Sequence, residues 1–369
     1  MIRLTTFFCM TAIASAADPL VWKQLPSLPD PLGFAGPFAG VSGTSLVVAG
    51  GANFPDKMPW EGGKKVWHDS VWVLDKLDGK WREAGKLPRP LGYGVSVSAP
   101  DGVVCVGGSD SERHYADTFL LSAAQCKPLA PLPIPLANMA GVLVGEDVYI
   151  AGGAEAPGEQ AATSRAFVLS LKDNAWREIE PLPGKARILA TGATNDGNFF
   201  VFGGVALVPG ADGKVVREYL RDAWRYEAGK GWSALPDMPK AVAAAPSPAP
   251  DVDGWFWILG GDDGSRAGFQ PVDKHPGFVG ESISLAASEP GALSWWQSRG
   301  SVNAPRATVP AVKWCGLVVV PSGEVRPGVR SPEVWSVRWA VEGTPGPLIE
   351  SPPERNNTRQ RIRIIPNKP

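Results

Sequence analysis

The chain has 369 residues, with 36 Lys and Arg against 37 Asp and Glu and a formal net charge of −1. That balance excludes an electrostatic grip on nucleic acid or on an anionic membrane, since both need surplus positive charge. A hydrophobic share of 44% allows a sizeable core, while 43 Gly, 37 Pro and 15 Trp point to many short strands and tight turns rather than helices.

Residues 1–16 read as an export signal. Arg3 supplies the positive end, Leu4 to Ile13 an apolar stretch, and Ala14-Ser15-Ala16 a small-residue cleavage site,. That stretch is too short to span a bilayer and no later segment approaches the required length. The expectation is a periplasmic or secreted protein with no membrane span. Beyond Cys9 in the signal stand Cys105, Cys126 and Cys315, an odd number at wide spacing that makes no disulfide framework. Cys105 and Cys315 fall in apolar strand-like runs and read as buried free thiols.

From residue 17 to 348 one unit repeats. A short apolar strand ends in Gly-Gly at Gly50-Gly51, Gly107-Gly108, Gly152-Gly153, Gly203-Gly204 and Gly260-Gly261, and a degenerate sixth copy ends in Pro321-Ser322-Gly323. After each come a variable loop, a second apolar run such as Ser70-Val71-Trp72-Val73-Leu74, and a Trp-centred strand followed by Leu-Pro, as in Trp81 before Leu87-Pro88. Apolar runs without strict alternation suit strands covered on both faces. The sixth unit lacks its Trp…Leu-Pro strand, and Val21-Trp22-Lys23-Gln24-Leu25-Pro26 supplies one at the other end of the chain. The N-terminal strand is therefore expected to complete the last unit and hide the edges of an open ring. Residues 349–369 read as a polar, basic tail.

This unit resembles the kelch repeat, whose Gly-Gly pair and spaced aromatic mark one four-stranded blade. Spacings of 45 to 62 residues bracket the kelch period of about 50. The implied fold is an all-β, six-bladed kelch-type β-propeller closed by its N-terminal strand, with the loops around each Gly-Gly strand facing the mouth of the central channel.

One of those loops, Ser322-Gly323-Glu324-Val325-Arg326-Pro327-Gly328-Val329-Arg330-Ser331, places a carboxylate and two guanidinium groups around a Pro-Gly turn,. It is similar to the Gly-Glu-x-(Lys/Arg)-Pro-Gly-x-Arg loop of N-acetylneuraminate epimerases, the bacterial sialic acid mutarotases. Gly33-Phe34-Ala35-Gly36, Glu61-Gly62-Gly63-Lys64-Lys65 and Gly92-Tyr93-Gly94-Val95-Ser96 match further segments of that family. They open this chain whereas they follow the Glu-bearing blade in the family, so the chain resembles a cyclically permuted mutarotase branch. The resemblance implies Glu324 as the catalytic base and Arg330 as its partner in the same site, orienting the carboxylate of an acidic sugar by a bidentate fork. Mutarotation needs no cofactor.

Other positions carry two readings each. Arg187 and Arg306, before the fourth and sixth units, either line the pocket or cap a strand edge. Asp262 and Arg266 form a polar wall or an Asx-type turn. Asn53 and Glu61 lie in long matched loops as candidate substrate contacts. No His-x-His or other close ligand pairing suggests a metal. With three dispersed His and 5 Tyr, the chain also lacks the set that a radical copper oxidase on the same fold requires. The functional alternative to a mutarotase is a non-catalytic secreted kelch propeller that binds a glycan or protein through the same loops.

Overall fold

Each apolar run ending in Gly-Gly becomes the second strand of a four-stranded antiparallel sheet. The computed structural model describes residues 19–340 apart from 124, 159, 212 and 287–293; the expected signal peptide and the tail from residue 349 lie outside the described residues. In the first blade the strands are Phe38–Ser42, Ser45–Ala49, Ser70–Leu74 and Arg82–Lys86. Innermost strands of the next five blades are Val95–Ala99, Ala140–Val144, Thr191–Asn195, Asp251–Val252 and Val312–Trp314, and they stand side by side around the axis.

The sixth blade is closed as the sequence requires. Its outermost strand is Leu20–Leu25, which pairs antiparallel with Val334–Trp339 from Leu20↔Trp339 to Leu25↔Val334.

Burial explains the uninterrupted apolar runs. In the strand Ser45–Ala49, Val47 and Ala49 pack toward the second blade with Cys105 and Phe119, whereas Leu46 and Val48 pack toward the sixth with Val312 and Val319. Every strand of this layer thus feeds two inter-blade cores, and period-2 alternation sorts residues between cores instead of between core and solvent. The outer-strand tryptophans lock neighbouring blades together. Trp22, Trp81, Trp176, Trp232 and Trp295 each donate the indole N–H, at 2.7–2.9 Å, to a carbonyl of the preceding blade: Ser301, Pro26, Ala130, Glu180 and Pro236. Blade two has no such residue; Cys126, half-buried, packs against that core instead.

A second inter-blade device encircles the channel. The residue two positions before the innermost strand in the first four blades, seven in the fifth and four in the sixth, adopts a left-handed conformation: Gly36, Tyr93, Asn138, Leu189, Ala244 and Thr308, with φ between +53° and +62°. Each donates its backbone N–H to the carbonyl of its counterpart in the preceding blade, at 2.7 Å for Gly36 to Thr308 and 2.8 Å for the other five. The six bonds form a closed hoop. Five of its residues are not glycine, and a β-branched Thr at positive φ is strained; the hoop bonds and the surrounding sheets hold that conformation.

Cys105 is buried as expected, but Cys315 is exposed. It occupies the turn between Val312–Trp314 and Leu317–Pro321 at φ +51°, so the apolar run around it is two strands and a turn. No helix among the described residues is long and apolar enough to cross a membrane.

Candidate functional site

The six residues that follow the Gly-Gly positions occupy equivalent places at one mouth of the channel: Ala52, Ser109, Ala154, Val205, Asp262 and Glu324. Each forms an antiparallel bridge to the residue just before the hoop, as in Ala243↔Asp262 and Ala307↔Glu324. Glu324 is pinned by both bonds of its bridge, its N–H to Ala307 O at 2.9 Å and its carbonyl to Ala307 N at 3.0 Å. Ser322 takes the place of the first glycine at φ +78°. Its hydroxyl accepts the Phe34 N–H at 2.7 Å and lies 2.8 Å from Ser331 O, so the side chain that glycine lacks is used to tie the sixth blade to the first.

Glu324 and Arg330 are cross-strand partners in the hairpin Glu324–Arg326/Val329–Arg330, turned at Pro327-Gly328. Gly328 has φ +79° and faces blade one so closely that a Cβ would sit 2.6 Å from Pro59 Cγ. Arg326 fastens the other side, donating to Asp273 O at 2.6 Å. This frame brings Arg330 Nη2 to 3.0 Å from Glu324 Oε1, with the two side chains 3% and 18% exposed. Arg330 also donates from Nε to Ala52 O at 3.3 Å, stacks 4.6 Å from the Phe54 ring centroid, and lies 3.5 Å through Nη2 from the Tyr93 hydroxyl. Its Nη1 is buried and without a hydrogen-bond partner.

The mouth opens into a cavity of about 330 Å³, within the range of small-molecule sites. Glu324, Asp110 and Asp262 put carboxylates on its wall, and Lys65 and Arg217 put cations there; Trp67, Tyr93, His114 and Tyr219 add rings. Arg330 lies behind Glu324 and is not part of the wall. Below, a neck of about 80 Å³ is lined by the hoop residues, and a separate hollow of about 270 Å³ opens at the far mouth beside Ser98, Asp251 and Lys313.

The wall groups are fixed by hydrogen bonds. Tyr219 donates to Asp262 Oδ2 at 2.6 Å, and the Gly264 N–H reaches Asp262 Oδ1 at 3.0 Å. Burial, then the bond to Asp262, pushes the Tyr219 hydroxyl well above its ordinary range. His114 Nδ1 lies 2.9 Å from Ala154 O, and burial lowers its pKa, so the imidazole is neutral near pH 7 with its proton on Nδ1. Burial pushes the Asp110 carboxyl up, but bonds from the Tyr115 hydroxyl and from the N–H groups of Glu112 and Arg113 outweigh it and leave the carboxyl below the usual range.

The remaining expected site residues lie elsewhere. Arg187 is fully buried and forms a two-pronged pair with Asp222 at 2.6 and 2.7 Å, while its other donors go to the carbonyls of Gly203, Lys185 and Pro183. Asp222 in turn accepts from Trp224 Nε1 at 2.8 Å. Arg306 repeats the arrangement in blade six, with Glu333 at 2.6 Å and Trp335 Nε1 donating to Glu333 at 3.0 Å. Both arginines therefore brace a strand entry, the strand-edge reading of the two open in the sequence. Asn53 is 1% exposed, and its amide joins Gly33 O, Asp30 and His68; it is held away from the cavity. Glu61 is exposed and caps its own turn by accepting the Met58 N–H at 3.1 Å. Arg266 donates to Gly277 O at 2.8 Å outside the cavity wall, whereas Asp262 is on it. Lys65, Trp67, Tyr93 and His114 belong to the wall without having been singled out; Lys65 and Tyr93 lie inside the matched segments, the one signal that marked them. Among the described residues no group of three or more His, Cys, Asp or Glu is placed to hold a metal.

The profile of the N-acetylneuraminate epimerase family matches residues 9–126. Curated N-acetylneuraminate epimerases are similar to part of the chain. That of Yersinia pestis (strain Pestoides F) is 47% identical over 85 residues, covering 21% of each chain, and that of Brucella suis (strain ATCC 23445 / NCTC 10510) is 39% identical over 117 residues, covering 27% of this chain and 29% of its own. The match therefore spans under a third of these relatives' length, and the Glu324 loop lies outside the family profile's segment. A solved structure described as that of YjhT superposes with a TM-score of 0.62 at 14% identity, covering 85% of this chain and 99% of that one. This likeness shows the propeller fold.

Proposed function

With the family likeness as premise, we propose that this protein interconverts the anomers of N-acetylneuraminate or a closely related acidic sugar, acting after export in the periplasm or outside the cell. The observation that carries the proposal is the Glu324 carboxylate on the cavity wall with Arg330 Nη2 3.0 Å behind it. Mutarotation opens the sugar ring when the anomeric hydroxyl loses its proton, and a carboxylate within hydrogen-bond reach takes it. Glu324 is that base. Arg330, buried beneath it, fixes the rotamer of the carboxylate and supplies its counter-charge. Lys65 and Arg217, the cations on the wall, are placed to meet the carboxylate of an acidic substrate, and Asp262 and Asp110 accept its hydroxyls.

Exchange spectroscopy of N-acetylneuraminate anomers, with and without protein, tests this reading. The expected result is exchange well above the spontaneous rate, falling by about 10²–10⁴ in Glu324→Gln, the usual worth of a positioned proton-transfer group. Exchange no faster than in buffer refutes it and leaves a non-catalytic propeller.

A further inference from the structure

A base that takes the anomeric proton does only half of the ring opening, because the ring oxygen must receive a proton as its bond to the anomeric carbon breaks. We propose that Tyr93 is the residue that delivers it, an assignment that rests on the mutarotase reading of the same cavity. Tyr93 lines both the cavity and the neck below it. One nitrogen ties it to the base: Arg330 Nη2 is 3.0 Å from Glu324 Oε1 and 3.5 Å from the Tyr93 hydroxyl. Glu324 and Tyr93 therefore stand side by side on the wall, with the arginine behind both. Since the guanidinium only donates, the phenolic oxygen accepts from it, and the hydroxyl proton is directed away from Arg330.

Everything around Tyr93 immobilises the ring. Its N–H donates to Gly36 O and its carbonyl accepts from Asn138 N, both at 2.8 Å, which fixes the backbone at φ +62°. Trp67 meets the ring edge-on at 6.3 Å between centroids, and Lys65 Nζ lies 5.0 Å from its centre. On the remaining side Gly36 leaves no room for a side chain, as a Cβ there would be 2.6 Å from Tyr93 Cδ1. Two other ring donors of the wall are committed, the Tyr219 hydroxyl to Asp262 and the His114 Nδ1 proton to Ala154 O; the Trp67 indole N–H has no partner, but an indole is far too weak an acid to protonate a ring oxygen.

The step balances without a further reactant. Glu324 takes the proton of the anomeric hydroxyl, whose oxygen forms the carbonyl double bond. The bond between the anomeric carbon and the ring oxygen breaks, and its electron pair goes to that oxygen, which takes the phenolic proton of Tyr93. The phenolate is left beside Arg330 Nη2. After the open chain rotates, the same hydroxyl attacks the other face of the carbonyl, returns its proton to Tyr93, and the new anomeric oxygen recovers the proton held by Glu324.

Tyr93→Phe keeps the ring, its packing and the hoop bonds. In N-acetylneuraminate exchange its kcat is expected to fall by about 10²-fold or more with KM within about twofold. An unchanged kcat overturns the assignment, and so does a rise in KM alone, which is what a hydroxyl that merely binds the sugar would give. The wild-type protein provides a second measurement: two protons move in one step, so kcat plotted against deuterium fraction in mixed H2O and D2O must curve. A straight line overturns the two-residue step. If wild-type protein fails to speed exchange at all, the mutarotase reading falls; an active wild type with an unimpaired Tyr93→Phe removes only the role of Tyr93.

Discussion

Replacing Arg187 by Met separates a bracing role from a substrate contact. Arg187 is fully buried, and its pair with Asp222 is accompanied by bonds to the Gly203, Lys185 and Pro183 carbonyls. Removing one partner of a buried pair costs about 3–5 kcal/mol because the other charge is left uncompensated. The Asp222 side chain is 28% exposed, so water relieves part of this and the lower end applies. Unfolding entropy of roughly 2.1 cal/mol/K per residue makes a propeller of this length lose about 1.5 °C of Tm per kcal/mol, hence about 5 °C here. Thermal unfolding followed by circular dichroism measures the loss, while anomer exchange at 25 °C reports kcat and KM of the folded fraction, which should match wild type. Adding Asp222→Leu to Arg187→Met should restore part of the stability, since an apolar pair is often no worse than a buried ion pair. A variant with wild-type Tm and a raised KM would refute the bracing role and return Arg187 to the substrate.

The same braces predict an acid limb in stability. Burial pushes the Asp222 carboxyl up, but the Arg187 and Trp224 bonds and the guanidinium charge leave it below its usual range; Glu333 is lowered first by Trp335 and further by Arg306. Lowered carboxyls contribute stability that is complete above the ordinary carboxylate range, near pH 4, and is lost as pH falls through the depressed values. Tm measured from pH 6 to pH 3 should therefore drop, and drop less in Arg187→Met. Asn53→Ala should destabilise by about 1–3 kcal/mol in urea, the cost of unpaired buried partners, with KM unchanged; a raised KM would place Asn53 in the site after all. Leu25→Ala should cost about 2–5 kcal/mol, as for any buried core leucine, because Leu25 packs with Phe34, Leu46 and Val334. A near-neutral result beside a costly Leu46→Ala would mean that the closing strand is not integral to the ring.

Much of the architecture was legible because it depends on residue types that little else can replace. Gly-Gly at the end of five of the six second strands, Trp on five of the six outer strands and a missing fourth strand at the C-terminal end are all visible in the sequence, and so is the place of Glu324 one residue beyond a Gly-Gly equivalent. The hoop left no such mark. Tyr93, Asn138, Leu189, Ala244 and Thr308 share one conformation but no chemistry, since bonds from neighbouring blades impose it. Asn53 misled because its loop faces the mouth while its side chain turns inward to Asp30 and His68. For Arg187 and Arg306 the discriminating signal stood further along the chain, in Asp222-x-Trp224 and Glu333-x-Trp335, whose carboxylates the third strand of each blade carries back to the arginines.

The hoop divides the channel into a cavity at one mouth, a neck at its own level and a hollow at the far mouth. All six of its residues line the neck, which has about 80 Å³ of room for water. The wall that carries Glu324 and the hollow beside Asp251 therefore lie on opposite sides of one closed ring of backbone hydrogen bonds.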